Sequence, residues 1–87
     1  MTRDEILTHL LGALGDIAPE VDLPTLDAER RLRHQVDLDS ADWLNFLVAV
    51  HQRLGVEIPD AEAARLHTLA QIADFCAAHG ARPPGGA

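Results

Sequence analysis

A serine between an acidic loop and an amphipathic helix is available for esterification rather than for packing. Ser40 is placed in this way, in the run Val36-Asp37-Leu38-Asp39-Ser40-Ala41-Asp42-Trp43-Leu44-Asn45-Phe46-Leu47. From Ser40 onward, apolar residues recur at Trp43, Leu44, Phe46, Leu47, Val50 and Leu54, the spacing of a helix with one buried face. The chain before it is polar and charged and has no helical period of its own. The hydroxyl therefore belongs at a helix N-terminus, outside the core. Backbone N–H groups of a first helical turn lack intrahelical partners, and the helix dipole adds partial positive charge there. A phosphate ester at such a position is tolerated, and favoured by roughly 0.3–1 kcal/mol in an exposed setting.

Other chemistries for the same residues are weaker. A serine at a helix start is most often an N-cap and nothing more. A hydrolase nucleophile would need an elbow such as Gly-x-Ser-x-Gly and the sheet that it crowns, and the chain has neither the motif nor the length. Asp39 is adjacent to the serine, with Asp37 close by. A carboxylate repels a phosphoserine beside it unless a cation lies between them; the plain role of Asp39 is to cap the helix. Asp37 and Asp42 read as solvated charges. His9, His34, His51, His67 and His79 are scattered without metal-ligand spacing and read as surface residues, so no metal site is expected. Cys76 reads as a small buried hydrophobe, and as the single cysteine it excludes an internal disulfide.

Asp39-Ser40 at a helix start, followed by Gly55-Val56-Glu57-Ile58-Pro59-Asp60 and then Leu66-His67-Thr68-Leu69, resembles the acyl carrier protein family. The resemblance runs without a gap from about Leu32 to Phe75. It implies a 4′-phosphopantetheine arm on Ser40, attached from coenzyme A by a separate phosphopantetheinyl transferase, with Asp39 helping to hold the magnesium ion. It also implies acyl groups carried as thioesters and presented to acyl-transferring or acyl-modifying enzymes of fatty-acid, polyketide or related metabolism. The protein itself would then be no enzyme. The family usually has leucine after the serine and glutamates along the same helix; here stand Ala41, Asn45, Val48, His51 and Gln52, with Asp42 keeping one charge. These six positions are expected to form the partner-recognition surface, and their departure from the family pattern points to a dedicated partner set or to surface drift. Two alternatives stay open. One is a peptidyl or aminoacyl carrier, although such domains more often have Gly-Gly-His or Gly-Gly-Asp before the serine. The other is an unmodified helical interaction module.

The elements that must position Ser40 read as an all-α, four-helix bundle of the acyl-carrier type, with a long first loop and a short third helix. Thr2-Arg3-Asp4-Glu5 is a capping-box pattern, and Ile6, Leu10, Leu14 and Ile17 line one face of a helix over about Arg3 to Ala18. Gly12 and Gly15 weaken it by about 1 kcal/mol each relative to Ala. A stretch from Pro19 to Asp39 has no sustained period, and a structureless loop of that length is unusual in a compact domain. Its apolar residues Val21, Leu23, Leu26, Leu32, Val36 and Leu38 are expected to pin it across the helix ends, with a helical turn somewhere in Leu26 to Arg33. The helix from Ser40 runs to Leu54 and stops at Gly55. Pro59 suits the first position of a short helix over about Asp60 to Arg65. Thr68 caps the last helix, which ends near His79-Gly80. Residues 1–80 form the domain and 81–87, rich in Pro and Gly, a flexible tail. Trp43, Leu44, Leu47, Val50, Leu54, Ile58, Leu66 and Phe75 are expected in the core.

Composition narrows the function from the other side. With 87 residues there is chain for one small domain and a single core. A formal charge of −7 without a single lysine excludes nucleic acid and anionic membrane as partners, since both need basic surface. Acidic surface suits solubility and encounter with basic patches on partner proteins. No apolar signal core and no run of transmembrane length is present, so a cytoplasmic monomer is the expectation.

Overall fold

The computed structural model describes residues 1–82, and all its regular elements are helices, apart from one isolated bridge between Arg31 and Thr68. Helix α1 (Arg3–Ile17) begins at the expected capping box. Thr2 Oγ1 accepts from the Glu5 backbone N–H at 3.2 Å, and Glu5 Oε1 accepts from the Thr2 N–H at 3.0 Å. Two donors that a helix start leaves open are thereby satisfied. The Thr2 backbone N–H, with the Thr2 hydroxyl second, holds the Glu5 carboxyl below its ordinary 4.5. Ala18 is the C-cap rather than the last helical residue, its N–H reaching Leu14 O at 2.8 Å.

The remaining elements follow in order: a 3₁₀ turn at Leu23–Thr25, then α2 (Leu32–Gln35), α3 (Ser40–Leu54), α4 (Asp60–Ala63) and α5 (Leu69–Ala78). α1, α3, α4 and α5 are the four expected helices. The helical turn expected somewhere in Leu26 to Arg33 is α2, which starts inside that range at Leu32 and runs two residues past it, while the 3₁₀ turn precedes the range. Gly55, with φ of 69°, ends α3 in the left-handed region that only glycine enters without strain. Pro59 is the N-cap of α4 rather than its first residue, and α4 ends at Ala63, two residues short of the expected Arg65. Thr68 caps α5 through a second capping box with Gln71.

α1 packs against both α3 and α5. The centre of the core is Ile6, Leu10 and Leu14 from α1, Phe46, Val50 and Leu54 from α3, and Ile72 and Cys76 from α5, all completely enclosed. Burying a side chain of this size contributes about 1.5–3 kcal/mol. Trp43, Leu66 and Phe75 only lean on this cluster. Leu44 departs from expectation altogether, being 54% exposed. At 100° per residue it lies roughly 120° from the centre of the arc that Phe46, Val50 and Leu54 define. Four of the five histidines are exposed, and His9 is half-buried.

The long loop is ordered by three anchors and one amide. Leu32, Val36 and Leu38 reach the core. Backbone bonds from Leu32 N–H to His67 O (2.8 Å) and from Ala70 N–H to Ala28 O (2.9 Å) tie it to the start of α5. The Gln35 side chain accepts from Asp27 N–H at 2.8 Å and donates to Asp27 O at 2.9 Å and Arg30 O at 3.2 Å. A single side chain thus closes the turn before α2. At the far end of the chain, Ala81 N–H reaches Cys76 O and Arg82 N–H reaches Leu54 O. Of the tail expected over 81–87, residues 83–87 lie outside the described residues.

Candidate functional site

Asp39 is the N-cap of α3, with Oδ1 accepting from Asp42 N–H at 2.8 Å. Its backbone carbonyl accepts from Trp43 N–H at 2.9 Å. The capping role is therefore filled, and Ser40 is left as the first helical residue with its side chain exposed. Among the described residues none hydrogen-bonds the Ser40 hydroxyl, and the backbone N–H groups of Ser40 and Ala41 have no intrahelical partner. Among the described residues no basic side chain hydrogen-bonds this oxygen.

Three contacts hold the approach to Ser40. Leu38 is buried, 5% exposed, and fixes the chain two residues upstream. Arg33 Nη2 donates to Leu38 O at 3.0 Å. The same guanidinium lies 5.8 Å from the centroid of the Trp43 ring, within cation–π range. Trp43 in turn stacks on Phe46 at 5.7 Å between centroids, which joins this bracing to the core. Asp37 is exposed, as expected of a solvated charge.

The six positions expected for partner recognition fall into two groups. Ala41, Asn45, Val48, His51 and Gln52 are all exposed, whereas Asp42 is half-buried at the helix tip. Val48 is 54% exposed, the same as Leu44 one turn earlier. Both line a groove of about 380 Å³ with Leu47, His51, Ile58 and Asp60, so α3 shows solvent a largely apolar strip. The sequence reading assigned Leu44 to the core; that Val48, its i+4 neighbour, was already expected outside was the signal for correcting it.

A carrier arm joined through a phosphodiester needs an exposed hydroxyl, free of competing hydrogen bonds, where a negative charge is tolerated. Ser40 meets each requirement, and it is also the only serine in the chain. The four threonine hydroxyls are each engaged in a local hydrogen bond. Cys76, the single thiol, is fully enclosed, and burial pushes it up to about 11. A thiol so placed is inert at neutral pH.

Residues 5–76 match the family model described as the phosphopantetheine attachment site. The chain belongs to this carrier family. It is 32% identical to the acyl carrier protein of Acidothermus cellulolyticus over 88% of its own length and 90% of that protein. The acyl carrier protein of Thermosynechococcus vestitus is also 32% identical, over 86% of this chain and 91% of the relative. That of Myxococcus xanthus is 29% identical over 77% and 89%. The cofactor that defines the family is 4′-phosphopantetheine on a serine. No described helix is long and apolar enough to cross a membrane.

Proposed function

We propose that this chain is an acyl carrier protein whose 4′-phosphopantetheine arm is attached to Ser40. The observation that carries the reading is the placement of its single serine, exposed at the first residue of a fifteen-residue helix with the cap supplied by its neighbour. When bound, the arm supplies a terminal thiol that holds acyl groups as thioesters. The protein supplies the attachment point, solubility and recognition, and it catalyses nothing itself. Its partners are accordingly a transferase that installs the arm and enzymes that act on the acyl group.

Asp39 does two jobs in this reading. Oδ1 is committed to the helix cap, while Oδ2 has no hydrogen-bond partner among the described residues. That free oxygen, pointing from an exposed residue next to the serine, is available to a divalent cation held by the transferase. A cation held there would offset the repulsion between the Asp39 carboxylate and the incoming phosphate. Ala41, Asp42, Asn45, Val48, His51 and Gln52, together with Leu44, form the docking surface. That surface is more apolar and less acidic than the family pattern, which supports a dedicated set of partner enzymes. The cytoplasm, where coenzyme A is at hand, and a monomeric state belong to the same proposal.

Intact mass after co-expression with a broad-specificity transferase tests it. The wild-type chain is expected to gain one phosphopantetheine and Ser40→Ala none, with identical circular dichroism. A wild-type chain that stays unmodified would favour a plain docking module. An aminoacyl rather than acyl thioester on the holo form would favour a peptidyl carrier.

A further inference from the structure

The chain has seven arginines and a net charge of −7, and its cations are not evenly used. Arg3 is paired with Asp74 and Glu29, and Arg53 with Asp16. Arg31 and Arg33 form no ion pair with any described residue, yet the fold brings both to one cavity. The bridge between Arg31 and Thr68, with the bond from Leu32 N–H to His67 O, lays the loop against the start of α5 and adds His67 to the same rim. The cavity holds about 310 Å³ and has no acidic residue in its lining. Its floor is apolar: Leu32 is 1% exposed, Ala63 is 5% exposed, and the half-buried Trp43 ring forms one wall. Trp43 lies three residues beyond Ser40, hence less than one helical turn along α3.

An apolar floor under a rim of unneutralised cations selects a ligand with a short hydrocarbon body and an anionic end. In an acidic protein such a patch also focuses the local field on anions. We propose that this cavity between α2, α3 and α4 receives a carboxylate-terminated acyl group carried on the arm at Ser40. The terminal carboxylate meets Arg31, Arg33 and His67, and the methylenes lie on Trp43 and Leu32. Arg33 spends one of its five N–H donors on Leu38 O, and the others have no partner among the described residues. Tethering at Ser40 makes the encounter intramolecular, with an effective concentration in the millimolar range for a short flexible link, so weak contacts suffice. The inference rests on Ser40 being the attachment site.

The test compares the holo chain loaded with succinyl or with butyryl, which match in length and differ in the terminal carboxylate. Two-dimensional NMR is read at the Trp43 indole and the arginine Nε–H groups, with the unacylated holo chain as reference. Succinyl is expected to shift the Trp43 and Arg31 signals, butyryl to shift them far less, and salt at 0.5 M or Arg31→Gln to abolish the difference. Arg31 is chosen because its side chain is exposed and makes no hydrogen bond with a described residue, so the variant should keep the fold. Equal spectra for the two loaded forms overturn the proposal. So does a succinyl shift that survives Arg31→Gln. Trp43 and Arg31 signals that already move between the apo chain and the unacylated holo chain, with no further change on succinyl loading, would assign the cavity to the arm and overturn the cargo reading. If Ser40 is not the attachment residue, Ser40→Ala still gains the arm by intact mass before any NMR is recorded, so that failure is distinguishable.

Discussion

The two ends of α3 are held in opposite ways. At the C-terminal end, Leu54 is enclosed, Gly55 closes the helix onto His51 O, and Arg82 N–H reaches back to Leu54 O. Arg53 Nη2 crosses to Asp16 of α1 at 3.0 Å. At the N-terminal end, Asp39 ties the cap locally, while Ser40, Ala41 and Leu44 face solvent. Between them the helix divides lengthwise, with Phe46 and Val50 completely buried and Val48 more than half exposed. A rod clamped at one end and along one side can present its other end in a fixed direction without burying it. The scaffold's stability and the site's accessibility are thus assigned to different residues of a single helix.

The largest effect expected from this division is on Phe46. Phe46→Ala should cost about 3–5 kcal/mol, a large part of what a small domain has in total. Val48→Ala, two residues on, should stay within about 0.5 kcal/mol. Urea unfolding of the two variants checks this, and similar midpoints for both would mean that α3 has no holding and presenting faces.

Next comes the buried thiol on α5. The Cys76 thiol ionises at about 11 in the folded chain against an ordinary 9.0, because burial disfavours the thiolate. The raised value means that the native state prefers the protonated form. That contribution is complete below pH 9 and is lost as pH rises towards 11, to the extent of roughly 2–3 kcal/mol. The chain has no Lys and no Tyr, so little else titrates in that window. Thermal unfolding from pH 8 to pH 11 should show a decline in the wild type that Cys76→Ala lacks. Arm attachment at pH 8 should be the same in both, because the thiol is remote from the presenting end.

Much of this division was legible in the sequence. Period and punctuation mark α1, α3 and α5, because Thr2, Gly55 and Thr68 each act through local backbone bonds that a short motif encodes. The same local logic located Ser40 at a helix start. What depends on distant partners was not legible. Leu44 has the right residue type for a core, and only the position of α1 and α5 decides that its arc faces out. Gln35 and the convergence of Arg31, Arg33 and His67 depend on where the loop lies against α5, which no spacing records. Gly12 read as a weak point in α1, yet a Cβ there would come within 2.8 Å of Arg53 Nη1.

A smaller effect separates the two roles of Asp39. Asp39→Ala removes the cap and should cost about 1 kcal/mol, within the usual 0.5–2. Asp39→Asn keeps a capping oxygen and should leave stability nearly unchanged. If the second oxygen serves a cation during arm attachment, both variants should be modified several-fold more slowly with a purified transferase. Slow modification in Asp39→Ala alone would reduce the residue to a cap.

The smallest effect is at the clamped end, where a cycle of two substitutions isolates it. The Arg53–Asp16 pair is partly exposed, with side-chain exposures of 33% and 66%, so its own worth should be no more than about 0.2–1 kcal/mol and should fall with added salt. Gly12→Ala on its own gains helix propensity of up to about 1 kcal/mol but drives the guanidinium from its place over α1, and the two terms should nearly cancel. In an Arg53→Gln background the obstruction is relieved, and Gly12→Ala should then stabilise by most of its propensity. Non-additivity of that sign, measured from four unfolding curves, would establish that glycine at position 12 exists to let α3 be strapped to α1. Simple additivity would leave Arg53 as one more surface ion pair, and the clamp would consist of apolar packing alone.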